Sequence, residues 1–264
     1  MTGAPDIAAE THEAHDVVPG AVAAGLIVLC DHASNRIPDD YGRLGLPPGD
    51  LQRHIAWDIG AAGVARRLAA MLGAPAVLSR FSRLLADPNR GLDDPTLIMR
   101  ISDGAIIPGN ARVDAEERQR RIDRFWRPYD DAVSGLIGRF TQAGVSPALI
   151  SVHSFTPAWR GVRRPWHAGL LYDPRDPRFS RAVKQALERD PALVVGDNQP
   201  YSGGLSGDMM DRQGFKRGLD HALVEVRQDL IDSEAGQQEW AARIAEAVRH
   251  AMATARRQLP RAAQ

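Results

Sequence analysis

Three residues far apart in this chain have the types and settings for metal-assisted hydrolysis. His153 closes the apolar run ALISVH, Glu225 lies inside ALVEVRQDL, and His32 follows the run GLIVLC after a single aspartate. Imidazole and carboxylate are the donors a catalytic zinc takes, and a cation of that kind brings the pKa of water toward neutrality, where a nearby carboxylate can take its proton before attack on a carbonyl. A lone histidine carries little weight, because most ligate nothing. Two histidines ending separate buried strands, with a carboxylate in a third, converge on one crevice and carry more.

A catalytic zinc commonly holds three protein ligands and leaves a position for water. His32 and His153 supply two. The third is expected from Asp58 in HIAWDIGA, with His54 of the same segment and Asn35 as alternatives; the Asp58 carboxylate could also simply cap the helix that follows. Glu225 sits among Leu223, Val224 and Val226, and a buried carboxylate is costly unless it meets a cation, an activated water or a partner such as Arg227. The segment SRLLADPNRG adds Arg83, suited to polarising a carbonyl and stabilising an oxyanion, and Asn89 with Arg90, suited to a substrate carboxylate. The plain alternative for both arginines is structural pairing with Asp87, Asp93 or Asp94.

The elements that must position these residues follow from hydrophobic patterning. Gly25 to Cys30, Ala148 to His153, Ala168 to Asp173 and Ala222 to Leu230 are apolar runs of strand length, and Ala76 to Asp87 has the composition for one or two strands. Val64, Leu68 and Leu72 recur at helical spacing before Gly73 and Pro75. Asp114 can cap a long helix that Pro128 should kink or divide, Asp176 to Leu187 is a helix, and Ser233 opens a final amphipathic one marked by Trp240, Ile244, Val248 and Met252. This alternation predicts a three-layer α/β/α sandwich with a mostly parallel or mixed central sheet. Residues 1–20 read as a loose N-terminal arm and 21–264 as a single catalytic domain.

Lysine plus arginine and aspartate plus glutamate both number 33, so no basic excess draws the chain to nucleic acid, and arginine-rich stretches such as Arg160 to Arg164 are local features. The longest apolar stretch, Ala21 to Cys30, is too short to span a bilayer. The first twenty residues lack the pattern of a secretory signal, and the single cysteine, Cys30, fits a reducing cytoplasm. A small-molecule substrate is the expected partner. Two other functions are consistent with these residues: a metal-free amidase with Cys30 as nucleophile, and a non-catalytic module binding carboxylate ligands through the arginines.

The segments CDHASNRIP, HIAWDIGA, SRLLADPNRG, SVHSFTP, GDNQPYSG and RGLDHALVEVRQDLI, in this order over residues 27–232, resemble the N-formylglutamate amidohydrolases. That family is in turn similar to the zinc carboxypeptidases and aspartoacylases. The resemblance implies zinc at His32 and His153, an activating Glu225, a carboxylate pocket at Asn89 and Arg90, and hydrolysis of an N-formyl or small N-acyl amide of an amino acid such as N-formylglutamate. The chain departs from the carboxypeptidase pattern at Asn35, where a glutamate is expected three residues after the first histidine. It also carries Asp130 in FWRPYDDAV where many formylglutamate hydrolases have histidine. Tyr201 of NQPYSG precedes Glu225 at a separation similar to that of the mobile tyrosine and catalytic glutamate in carboxypeptidases, which implies a substrate-binding role.

Overall fold

The computed structural model describes residues 6–258. Its centre is an eight-stranded mixed sheet. In chain order the strands are β1 (Glu10–Thr11), β2 (His15–Val18), β3 (Leu26–Cys30), β4 (Ala76–Ser79), β5 (Ala148–Phe155), β6 (Ala168–Leu171), β7 (Val195–Asp197) and β8 (His221–Arg227), and across the sheet they run β7-β6-β8-β5-β3-β4-β2-β1. The four central strands β8, β5, β3 and β4 are mutually parallel, while β6 and β2 lie antiparallel to the strands flanking them on the inside.

The parallel strands read as continuous apolar runs because both faces are covered. Leu26, Val28 and Cys30 of β3 pack on one face with α1 (Ala61–Leu72), α4 (Arg178–Leu187) and α5 (Glu234–Gln258). Ile27 and Leu29 turn to the other face, against Phe125, Tyr129, Val133 and Phe140 of the long helical segment that ends in α3 (Arg127–Gln142). The result is the expected α/β/α sandwich. The period-two alternation also assigns Ser151 and His153 of β5, and Leu223 and Glu225 of β8, to the α3 face.

One element differs from the sequence expectation, and two others resolve within what it allowed: a single strand in Ala76 to Asp87 and a helix divided near Pro128. Residues 6–21 are not a loose arm: β2 pairs antiparallel with β4, from His15 opposite Ser79 to Val18 opposite Ala76, and Asp6–Ile7 pairs with Gly20–Ala21. A parallel sheet edge at β4 offers unpaired N–H and C=O groups, and the β-branched Val17 and Val18 supply a strand that satisfies them. The run after Ser79 continues as buried turns, held by the Ser82 hydroxyl, which donates to the Ala56 carbonyl at 2.8 Å. The helix capped by Asp114, whose carboxylate accepts the Glu117 N–H at 2.8 Å, is interrupted before Pro128. There α2 (Ala115–Arg121) passes through one wider turn, Ile122–Trp126, into α3, so the missing proline N–H falls in the first turn of the new segment. Among the described residues no helix is long and apolar enough to cross a membrane.

Candidate active site

The carboxyl ends of the four parallel strands meet at one crevice of about 350 Å3, lined among others by His32, Asp58, Arg83, His153 and Glu225. His153 and Glu225 are register partners on the adjacent strands β5 and β8, so the two side chains emerge side by side on the same face. His32 comes from the turn after β3. Asp58 reaches it because its own backbone N–H donates to the His32 carbonyl at 2.9 Å, tying the segment before α1 to the end of β3.

His32, Asp58 and His153 are all buried, and one donor atom of each lies within 4.8 Å of the others. Asp58 Oδ1 is 3.5 Å from His32 Nδ1, and Oδ2 is 2.9 Å from His153 Nδ1. Donors about 2.0–2.2 Å from one tetrahedral ion sit roughly 3.3–3.6 Å apart, so this group needs only small adjustment to close on a cation. The Asp58 carboxylate is therefore not spent on capping: the residue preceding α1 is Gly60, which offers no side chain. Of the other third-ligand candidates, His54 turns its Nε2 to Asp103 at 3.3 Å, and Asn35 donates to the Leu51 carbonyl at 2.8 Å.

The outer nitrogens of both rings are held by carboxylates, the arrangement that orients metal-ligating histidines. His32 Nε2 lies 2.7 Å from Asp87 Oδ1. Its Nδ1 lies 3.1 Å from Arg83 Nη1, which can only donate, so Nδ1 carries the lone pair and Nε2 the proton given to Asp87. His153 Nε2 lies 2.9 Å from Asp31 Oδ2, and Asp31 also accepts from the Tyr129 hydroxyl at 2.9 Å and the Ser151 hydroxyl at 2.8 Å. Sequence reading passed over Asp31, Ser151 and Tyr129; the one local signal is an aspartate placed directly after a buried strand. Asp87, a candidate structural partner for the arginines, is wholly buried, pairs with Arg83 and also orients His32.

The electrostatics follow from this packing. Burial alone would raise the Asp58 carboxyl and lower His153. The charge and hydrogen bonds of the histidines overcome it and hold Asp58 well below the usual carboxylate range, while Asp31 and Asp58 hold His153 well above the usual imidazole range. Glu225 behaves in the opposite way. Burial pushes its carboxyl up to about 7 against the pull of the His153, His32 and Arg83 charges, with repulsion from Asp58 adding to the rise. Its Oε2 is buried without a hydrogen-bond partner, and Arg227, the alternative partner, pairs with Asp229 at 2.7 Å instead.

Arg83 is placed to act on the crevice while anchored: Nη2 bonds Asp87 at 2.7 Å, and Nη1 lies 3.6 Å from Asp58. Asn89 uses its carbonyl on the Met209 N–H at 3.1 Å, leaving the amide nitrogen for the crevice that it lines with Arg90. Tyr201 lines the same wall, its hydroxyl accepting from Arg164 at 3.2 Å. Arg164 is itself buried and also bonds the Thr156 hydroxyl at 2.9 Å, so this member of the arginine-rich stretch packs behind Tyr201 and is not in a solvated loop. Asp130 is bonded to Arg212 at 3.1 Å and Gln213 at 3.0 Å, where Arg212 also reaches the carbonyls of Pro88 and Arg90; it braces the Asn89–Arg90 turn from behind. Cys30 faces the α1 and α5 side, fully buried, and burial pushes its thiol well up, which removes it as a nucleophile.

Residues 24–232 match the family model described as N-formylglutamate amidohydrolase. The chain belongs to that family. It is accordingly a hydrolase acting on amides, which sets aside a non-catalytic binding role. A gene product of Agrobacterium tumefaciens shares 34% identity with it at a TM-score of 0.86, over 93% of this chain and 97% of the other. The fold recurs in an N-formylglutamate amidohydrolase from Ralstonia eutropha JMP134, at 22% identity and a TM-score of 0.68, over 93% and 99% of the two chains. No curated protein matches the sequence.

Proposed function

We propose that this amidohydrolase is metal-dependent, with zinc as its metal, and that it removes a formyl or other small acyl group from the nitrogen of an amino acid, the class that N-formylglutamate represents. The observation that carries the reading is the donor set. Two buried histidines and an aspartate turn toward one point, each histidine is held from behind by a carboxylate, and Glu225 stands beside them with an unpartnered oxygen.

His32, Asp58 and His153 would hold the ion, which when bound supplies a Lewis acid for the carbonyl and lowers the pKa of water. Glu225 takes the proton of the attacking water and returns it to the departing nitrogen; a carboxyl held near 7 suits both transfers at neutral pH. As the new C–O bond forms, charge develops on the acyl oxygen, and the Arg83 guanidinium, which lines the crevice beside His32 and Asp58, stabilises it. Breaking the C–N bond then yields the free carboxylate and the amine. Asn89 and Arg90 hold the α-carboxylate, with Tyr201 closing the same wall.

The test is to load purified protein with zinc, measure bound metal by mass spectrometry, and assay formate release from a panel of N-formyl amino acids. About one zinc per chain, and activity that is lost on chelation and restored by metal, are expected. Full activity in chelator, or no metal retained, overturns the reading.

A further inference from the structure

Beside the crevice lies a smaller recess of about 80 Å3, and the two share Asn89, Arg90, Tyr201 and Glu225. His32, His153 and Asp58 do not line the smaller one. Glu225 therefore stands in the wall between them, with its unpartnered Oε2. In an N-acyl amino acid the acyl carbon must lie on the histidine side and the nitrogen must reach Glu225, so the side chain of the leaving amino acid extends toward the recess. At roughly 10–15 Å3 per water-sized group, the space admits about five to eight non-hydrogen atoms, one side chain and no more.

Glycines shape this recess by close approach. A Cβ on Gly203 would lie 2.3 Å from the Tyr172 nitrogen, and one on Gly207, at φ 77°, would lie 2.9 Å from Gly91 Cα, so the 201–208 loop can press against both β6 and the Asn89–Arg90 turn.

The acidic groups of the recess differ in the partners they already hold. Asp208 is 6% exposed; its Oδ1 accepts the Asp211 N–H at 2.7 Å, and among the described residues nothing bonds Oδ2. Burial raises its carboxyl, and repulsion from Asp211 and Asp31 adds to the rise against the pull of the Asp211 N–H and the Arg212 charge. His221, 3% exposed, gives its Nδ1 proton to the Leu219 carbonyl at 2.8 Å, so that nitrogen is not free for a ligand. Asp173 and Asp211 are already taken, by Arg175 and by Lys216 at 2.7 Å. Leu171, Met210, Phe215 and Leu223 complete an apolar lining. Arg90, the one cation among the lining residues, sits at the shared boundary where the α-carboxylate belongs.

Resting on the deformylase reading above, we propose that this recess is the subsite for the leaving amino acid's side chain. It takes a cationic side chain of the lysine or arginine class against Asp208, in preference to the carboxylate of glutamate. An apolar stem lies along Leu171 and Leu223, and the terminal donor meets the unbonded Oδ2 of Asp208. A glutamate side chain would bring a second carboxylate to Asp208 with no cation between them.

The experiment uses the zinc-loaded full chain and two readouts, kcat/KM for formate release and calorimetric binding, with N-formyl-arginine, N-formyl-lysine, N-formyl-norleucine and N-formyl-glutamate. The expectation is that arginine or lysine exceeds glutamate by roughly tenfold or more in binding and in kcat/KM, and that Asp208→Asn, which keeps the acceptor for the Asp211 N–H, lowers the arginine-to-norleucine ratio by a similar factor. A glutamate preference, or ratios that Asp208→Asn does not move, overturns the subsite while leaving the deformylase reading intact. Selective binding of the cationic ligands without formate release upholds the subsite and overturns the deformylase reading. Binding of none of the four overturns the subsite.

Discussion

Replacing Glu225 by glutamine separates catalysis from stability, and the structure assigns a sign to each. The carboxyl is held at about 7 against an ordinary 4.5, chiefly by burial, so its ionised form destabilises the folded chain. At ~1.4 kcal/mol per tenfold change in the equilibrium, that difference corresponds to about 3 kcal/mol. Below pH 4.5 the residue is protonated whether the chain is folded or unfolded, and the cost is absent; it builds up between pH 4.5 and 7 and is constant above. In chelator-treated protein, Glu225→Gln should therefore match the parent near pH 4.5 and exceed it by about 3 kcal/mol at pH 8, roughly 5–10 °C in melting temperature for a chain of this size. The same variant, loaded with metal, should lose ~100- to 10,000-fold in kcat, as expected when a general base is removed. Urea unfolding across this pH range, with formate release measured on the same preparations, checks both. A variant that is fully active, or no more stable than the parent at pH 8, refutes the assignment of Glu225 as a strained buried base.

The other expectations concern the metal group and its surroundings. His153→Ala and Asp58→Ala should each reduce bound zinc well below one per chain, whereas His54→Ala, whose ring turns to Asp103, should leave metal content unchanged in elemental analysis. Asp31→Asn should weaken zinc affinity by about 10- to 100-fold in a chelator competition, because it removes the acceptor that orients His153. Arg83→Ala should lower kcat by roughly 100- to 1,000-fold with metal retained; a change confined to KM would assign it to binding. Metal binding should release about one proton at pH 7, since His153 is held protonated between Asp31 and Asp58 in the metal-free chain and must lose that proton to ligate; calorimetry in buffers of different ionisation enthalpy reads the count. In metal-free protein the lowered Asp58 and Asp87 contribute stability above about pH 3.8 that is lost as the pH falls, and the raised His153 contributes stability below about 6.5 that is lost as the pH rises. Its stability should therefore peak in mildly acidic solution, which thermal unfolding across pH would show.

Much of this protein follows from its chain alone, because the governing effects are local or periodic. Apolar runs of strand length at Gly25–Cys30, Ala148–His153 and Ala222–Leu230 required strands covered on both faces, and parallel strands so covered deliver their last residues to one crevice. That pattern alone brings His32, His153 and Glu225 to one crevice. The order of strands and the reach of side chains across them depend on long-range pairing, which no local pattern encodes. Only the tertiary structure could bring Asp58 beside His32 and His153 while turning His54 to Asp103 and Asn35 to the Leu51 carbonyl, bring Asp87 and Asp31 behind the two histidines from 55 and 122 residues away, and dock residues 6–21 onto the sheet. It alone decided that Cys30 turns to the helical core while its neighbour Asp31 turns to the site. A residue type states what chemistry is available, but which proton or cation it meets is set by burial and by partners distant in sequence.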